Sequence, residues 1–540
     1  MHTNTERMSR ITLQMAEEAW ERPLQDSGLW HHNDIRNNFY DAAYLYAAAA
    51  DERLDASFDR REAADLASNV FMHVLELQDR NPESPTYGHW PLHLGERPEL
   101  APIHTLPAEL MSALMVYWQY RYEDAMDEQL SGAFEHAIRR MYESGFFRRT
   151  VQSFNHHEAK YTAAKLLFGQ RYGDADLLAA GRRDLQLTLA RIREAGMAEY
   201  GALPWFWHWV QAFSSAYYVV EDDGIREEIA DLLEELWLYR ARHYLNGAWI
   251  GGRMRSLPVD LPRDRNVAFD YVQFGDFELP RRLPRAEFAG LLHVAGSEEV
   301  SRTAWRSGQE EIAYAIVPAD GGAKLHQTIY RTAHAATGGI LERVAEFDNE
   351  QHRWEITLPL SEAEGANRLY LFSPGAGYAE GDPRHASDRG ELMLRKHTAL
   401  GLYAPQAEPV RLVGVLPAGT WRREQNRAYG ELQHLYAALF MPGGFVMAPM
   451  DDYVKLDSSG DGGRCNGFVV EVVEKEAAAA LGIHTLDDFF LSMERRRPQW
   501  ENEAGKRPSV RYRTPAGEDL ELAIVGNEVV RSSNGTRLNR

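Results

Sequence analysis

Cysteine is almost missing: Cys465 stands alone in 540 residues. One thiol forms no intramolecular disulfide and no cysteine-cluster metal site, so it reads as a small packing residue. Positive charge is also scarce, with 59 basic against 80 acidic residues and a net charge of -21. That balance argues against a general binder of nucleic acid or anionic membrane, although a local basic pocket still suits an anionic ligand. No window approaches the roughly 18 uncharged apolar residues of a membrane span. The first residues, MHTNTERMSRITLQMAEEAWERP, are polar and amphipathic without an apolar signal core, so the expected location is cytoplasmic. A Walker loop, a Rossmann glycine fingerprint, a G-x-S-x-G elbow and an H-E-x-x-H zinc motif are all missing. The glycine-rich FSPGAGYAEGD follows a strand pattern without an opening helix and reads as a turn.

What is present divides into two halves. Up to about residue 245, segments such as NNFYDAAYLYAAAADE, PAELMSALMVYWQYRYED and ADLLAAGRRDLQLTLARIREAG repeat apolar residues at three- and four-residue steps. They predict about nine or ten helices, with start signals at Asp34, Pro107 and Asp174. Successive helices without intervening strands predict an α/α toroid of incomplete or divergent helical hairpins. After RSLPVDLPRDR the pattern becomes short alternating runs, among them EEIAYAIVP, HRWEITLPL and GFVVEVV, separated by Gly, Asp, Asn and Pro turns. These predict an antiparallel β-sandwich. The expected organisation is a toroid over 1–255, a sandwich over 256–480, and a short helix with a small C-terminal sheet over 481–540.

Three places carry chemistry. The first is Asn155-His156-His157-Glu158, at the start of a helix and just after the basic pair Arg148 and Arg149. Asn155 with Glu158 three positions on reads as a capping box. Capping leaves His156 and His157 unexplained. The second is EYGALPWFWHWVQAFSSAYY, with Glu199, Tyr200, Trp205, Trp207, Trp209, His208 and Tyr217. Three tryptophans in five residues cannot share one helix face, so some project into a cleft, where flat rings make sugar platforms, and others fill the core. Partial burial would keep His208 neutral and able to act as a base. The third is HYLNGAWIGGRMRS, where Arg253 and Arg255 suit a substrate carboxylate, or else an internal ion pair. Polar-aromatic loops with His31, His32, Asp34 and Arg36, and with His89, Trp90, His93 and His104, are further candidates for a cleft wall.

A toroid followed by a sandwich, carrying these residues, resembles the α/α-toroid polysaccharide lyases of the hyaluronate/chondroitin lyase-like and heparinase II/III-like groups. The order of a helix-opening Asn, a distant His and then a Tyr is matched by Asn155, His208 and Tyr217, 53 and nine positions apart. The local sequence departs from the former group, which favours two tryptophans where this chain has His156 and His157. The resemblance implies β-elimination on a uronic-acid glycan, with no cofactor and no metal. Asn155 and Arg253 would neutralise the substrate carboxylate, and His208 or a tyrosinate would take the neighbouring proton. Tyr217 or Tyr200 would protonate the leaving oxygen. His156, His157, Glu158, Trp205, Trp207, Arg255, His104 and Trp90 would bind the sugar. The implied partner is an acidic oligosaccharide or polysaccharide, met as imported fragments, rather than nucleic acid or membrane.

Three alternatives stay open. A toroidal glycoside hydrolase would use paired carboxylates drawn from Asp34, Glu158 and Glu199. His156, His157 and Glu158 with a distant His would ligate a metal, although adjacent histidines on a helix diverge by about 100°. A helical scaffold would bind glycan without chemistry. On one continuous helix, His208 and Tyr217 would lie about 13.5 Å apart along the axis, too far for one reacting centre.

Overall fold

The computed structural model describes residues 2–254, 265–318, 322–343, 352–361, 365–375, 377–379, 387, 389–403, 410–458, 467–501, 507–526 and 528–538. Cys465 and Arg255 lie outside these described residues.

Among the described residues, nine long helices precede residue 243: α1 (Asn4–Glu21), α2 (Ile35–Ala50), α3 (Arg60–Glu76), α4 (Leu106–Tyr122), α5 (Glu128–Glu143), α6 (His156–Arg171), α7 (Ala175–Ala195), α8 (Leu203–Val219) and α9 (Asp223–Arg242). Their starts follow local chemistry. Thr3 and Glu6 form a reciprocal capping box on α1. Asp34, Asp59, Asp127 and Asp174 cap α2, α3, α5 and α7. Pro107 sits in the first turn of α4, where its missing N–H removes no helical bond.

Burial separates two classes of helix. On α5 a single stripe is buried: Leu130, Phe134, Ala137, Ile138 and Met141. By contrast α2, α4, α6 and α8 bury residues on every side, and α4 is buried without a break from Pro107 to Gln119. A helix apolar all round must be surrounded by others. These four largely buried helices pack on one another, while α1, α3, α5 and α7 pack outside them. This is the inner and outer ring of an α/α toroid. Close approach of α6 and α7 depends on two glycines. A Cβ on Gly169 would come within 2.6 Å of the Leu178 amide, and one on Gly181 within 2.9 Å of Lys165 Cβ.

The chain forms two compact units. The helical unit comprises Met1–Glu199, Leu203–Tyr239 and Asn266–Ser301, and the sheet unit comprises Tyr200–Ala202, Arg240–Arg265 and Arg302–Arg540. The return segment 266–301 adds the short helix Ala268–Gln273, a loop that carries Arg285 and Glu287, and the start of the short helix Glu298–Ala304.

In the sheet unit, antiparallel sheets of eight and six strands enclose a core that includes Trp354, Ile356 and Leu371 from one and Leu439, Phe468 and Val470 from the other. Alternation along Gly467–Glu474 explains the layering. Phe468, Val470 and Val472 enter that core, while Val469 and Val473 face a second core shared with the helix Leu486–Glu494 and the five-stranded C-terminal sheet. No helix among the described residues is long and apolar enough to cross a membrane.

Candidate active site

The N-terminal ends of α2, α4, α6 and α8 carry a connected group of ionisable side chains. Asn155 caps α6, its Oδ1 accepting the backbone N–H groups of His157 and Glu158 at 3.1 Å each. Because Oδ1 is held by the cap, the amide is oriented and Nδ2 remains its donor. The expected capping box is only half formed. Glu158 does not return to the Asn155 amide; it accepts from the backbone of Gln152, Ser153 and Phe154 and closes the preceding loop.

The two histidines engage two different carboxylates. His156 approaches Glu199 twice, through its backbone N–H at 2.8 Å and through Nδ1 at 2.6 Å. His157 Nδ1 lies 2.6 Å from Glu109, which also receives Lys160 Nζ at 2.8 Å and the Tyr161 hydroxyl at 2.8 Å. Burial acts most strongly on Glu109 and would raise its pKa. The His157 hydrogen bond and the Lys160 charge outweigh it and hold the carboxyl well below the usual range. Glu199 goes the other way: burial pushes it up to about 7, against the N–H groups of Trp209 and His156. Two carboxyls on one site are thus driven apart in acidity.

Helix α8 supplies the facing wall. Trp205, half-buried, stacks on His156 with centroids 4.7 Å apart and planes 13° apart. His208 lies 5.6 Å from His156, ring centre to ring centre. Both ring nitrogens of His208 are buried without a hydrogen-bond partner among the described residues, and Nε2 is 3.7 Å from Glu287. Burial lowers the His208 pKa and leaves the ring neutral, with Glu287 opposing. Glu287 itself is held by Gln211 and by Arg285 at 2.9 Å, and it adopts a positive φ of 45°. Gln211 fixes that loop from two sides, because its carbonyl also accepts the Phe288 N–H at 3.2 Å. From α2, Arg36 forms a forked bond to its own cap, Asp34. Tyr40 is buried beside Glu287 and Arg36, and burial raises its pKa well above the ordinary value.

Several of the residues expected from the sequence fall elsewhere. Helix α8 runs unbroken from Leu203 to Val219, so His208 and Tyr217 are separated by about 13.5 Å of helix and do not share a reacting centre. Trp207 is 1 % exposed; its indole donates to the Asn266 carbonyl and its ring stacks on Phe269, which makes it core rather than platform. Trp90 is fully buried, with its indole on the Val74 carbonyl. His104 is exposed and accepts the Leu106 N–H at 3.0 Å, serving the start of α4. Tyr200 and Arg253 belong to the sheet unit. There Tyr200 packs with Ile316, Leu325 and Ile340, and Arg253, 2 % exposed, forks onto Glu355 at 3.1–3.3 Å. Of the hydrolase carboxylates, Asp34 is engaged by Arg36, Glu158 by the loop, and Glu199 by His156 and Trp209. Among the described residues no group of three or more His, Cys, Asp or Glu side chains is placed to hold a metal ion.

Glu109, Lys160, Tyr40, Gln211 and Glu287 were not among the expected site residues. Glu109 and Lys160 had a readable signal. Each is a charge inside a helix with no polar face, which must be paired to be buried.

No protein-family model matches the sequence, and no curated protein is similar to it in sequence. Solved structures do match in fold. The chondroitin AC lyase of Streptomyces coelicolor A3, described in complex with chondroitin sulphate, is similar at a TM-score of 0.52 and 10 % identity, over 98 % of this chain and 89 % of that one. A chondroitinase AC lyase studied with oligosaccharides matches at a TM-score of 0.48 and 9 % identity, over 98 % and 93 %. The chain therefore has the fold of a toroid-plus-sheet polysaccharide lyase.

Proposed function

We propose that this protein is a lyase that cleaves uronic-acid-containing oligosaccharides or polysaccharides by β-elimination. The observation that carries the proposal is the grouping of Asn155, the His156–Trp205 stack and the buried, neutral His208 at the N-terminal ends of the inner helices. Those ends carry positive partial charge and favour an anionic sugar. Asn155 Nδ2 donates to the substrate carboxylate and lowers the cost of charge developing on it. A neutral imidazole, His208, removes the proton beside that carboxylate. The electron pair left behind forms the new carbon–carbon double bond as the glycosidic oxygen departs, and that oxygen takes a proton from a phenol. Tyr40 holds its proton tightly inside the group, whereas Tyr217, nine residues along α8, is displaced from it. Trp205 offers a flat face for the sugar ring. Membership of the hyaluronate/chondroitin lyase-like or the heparinase II/III-like group, and a cytoplasmic role on imported fragments, are parts of the same proposal.

A second reading has one specific observation in its favour. Glu199 titrates near 7 while Glu109 stays ionised, the pattern of an acid and base pair in a glycoside hydrolase. A panel of acidic oligosaccharides separates the two. A lyase generates the ultraviolet absorbance of a conjugated unsaturated uronide, lost in Asn155→Ala and His208→Ala. Reducing ends without that absorbance would establish the hydrolase. Unchanged activity in both variants would remove these residues from the mechanism.

A further inference from the structure

Helices α2, α4 and α8 end at a second hollow, on the end of the helical unit opposite the candidate active site. It measures about 1920 Å³ and is walled by the C-terminal turns of those helices, the first turns of α1 and residues 290–295 of the return segment. All of its lining lies among the described residues of the helical unit. Helix α4 has 17 residues, so the two ends stand about 25 Å apart.

The wall is unusual in its aromatic rings. Helix α4 is buried as far as Gln119 and then presents Tyr120 at 58 % exposure. Helix α8 is buried from Phe206 to Ala216 and then presents Tyr218 at 43 % exposure. Tyr117 and Tyr122 join them on the lining, with the Tyr117 and Tyr218 centroids 5.8 Å apart. Two of these rings are tied at the hydroxyl. Tyr117 donates to the Leu291 carbonyl at 2.9 Å and Tyr218 to the His293 carbonyl at 2.7 Å. The open surface of Tyr218 is therefore mostly ring. Polar side chains stand round the rings: Asn4, Thr5 and Ser9 from α1, and Asp124 from the turn after α4. An exposed apolar patch with a polar rim marks an interaction site.

The hollow carries no net charge that would select an ion. Its carboxylates are Asp51 and Asp124, and its guanidinium groups are Arg53 and Arg121. Asp51 and Arg53 satisfy each other at 2.8 Å, and burial keeps His293 neutral. Helix C-termini add partial negative charge, so an anion is favoured at the other end and not here. The ligand that fits has apolar C–H faces for the tyrosines and hydroxyl groups at its edge for the rim. A pyranose ring has both. The volume exceeds the roughly 300–1,000 Å³ of a single small-molecule site, so several linked rings fit.

We propose that this hollow binds an uncharged oligosaccharide without cleaving it. It lies far from Asn155 and His208, so it stands or falls separately from the elimination chemistry.

Calorimetric titration of the full chain with four uncharged hexasaccharides, built from glucose, galactose, mannose or xylose, tests it. At least one is expected to bind saturably, with its monosaccharide weaker by about tenfold or more. Tyr120→Ala removes the most exposed ring and should weaken binding about threefold to tenfold. Ala50→Trp, at an exposed position on the wall, should fill the hollow and abolish binding. Both variants should melt with the wild type, because both positions are exposed. Trp205→Ala, at the other end of the helices, should leave this binding unchanged. Absence of saturable binding by all four sugars, binding untouched by Tyr120→Ala and Ala50→Trp, or binding lost in Trp205→Ala would overturn the proposal.

Discussion

His156 holds Glu199 by two bonds at once, one from its backbone N–H and one at Nδ1. The start of α6 and the approach to α8 are thereby joined through a single carboxyl group. Burial pushes that group up to about 7, so the charge beside the His156 ring changes across neutral pH.

The first prediction concerns that dependence. Glu199 is raised from 4.5 to about 7 by burial, so the folded chain holds this proton more tightly than the unfolded chain does. Its contribution to stability is fully present below pH 4.5 and is lost as pH rises through 7. The loss amounts to roughly 3 kcal/mol. Glu199→Gln should flatten this decline, so that its melting temperature rises relative to wild type as pH goes from acidic to mildly alkaline. A constant difference between the two across that range would remove Glu199 as the titrating group.

Asn155 serves as a cap and is proposed to bind substrate, and two substitutions separate these roles. Asn155→Ala loses the cap and should cost about 1 kcal/mol of stability. Asn155→Asp keeps a capping oxygen but replaces the amide donor with negative charge. Its stability should stay near wild type while turnover falls about a hundredfold or more. Equal turnover in Asn155→Asp and wild type would restrict Asn155 to capping.

Glu109 balances the buried Lys160, His157 and Tyr161. Removing it alone leaves an ammonium group enclosed without its counter-charge, and Glu109→Ala should destabilise by about 3–5 kcal/mol. Adding Lys160→Met should recover much of that loss. Additive losses in the double variant, read from urea unfolding, would show that the pair is not coupled.

Trp205 stacks on His156 and is half-exposed. Trp205→Ala should raise KM by about threefold to tenfold with a smaller effect on kcat. Trp207→Ala should instead lower stability by about 3–5 kcal/mol, because that ring fills the core. Reversal of these two outcomes would exchange their roles.

The arrangement of helices before sheets was legible because the period of the apolar residues changes from about 3.6 to 2 along the chain. The caps at Asp34, Asp174 and Asn155 were legible for the same local reason. Spacing along the chain was a poorer guide. His208 and Tyr217 match a pattern in order and distance, yet a continuous helix turns that distance into axial separation. Trp205 and Trp209 are four residues apart and share the face of α8 that meets His156 and Glu199, while Trp207 turns to the core. Glu287 was not legible at all, since it reaches His208 from 79 positions away through a loop without periodicity. Tyr200 carries no local sign that it packs with the sheet unit, one residue after Glu199, which belongs to the helices.

That partition bears on how the protein is made. A ribosome delivers residues 1–199, all of α8 and most of α9 first, then 240–265, which belong to the sheets, and only afterwards 266–301. The helical unit cannot finish before its last segment has been synthesised, and with it arrive Arg285 and Glu287. Until then His208 has no anionic neighbour at Glu287 and Gln211 has no loop to hold. A nascent chain stopped before residue 266 would therefore expose a helical unit lacking its last segment, open to proteases and chaperones, whereas one released after residue 301 would already carry that segment.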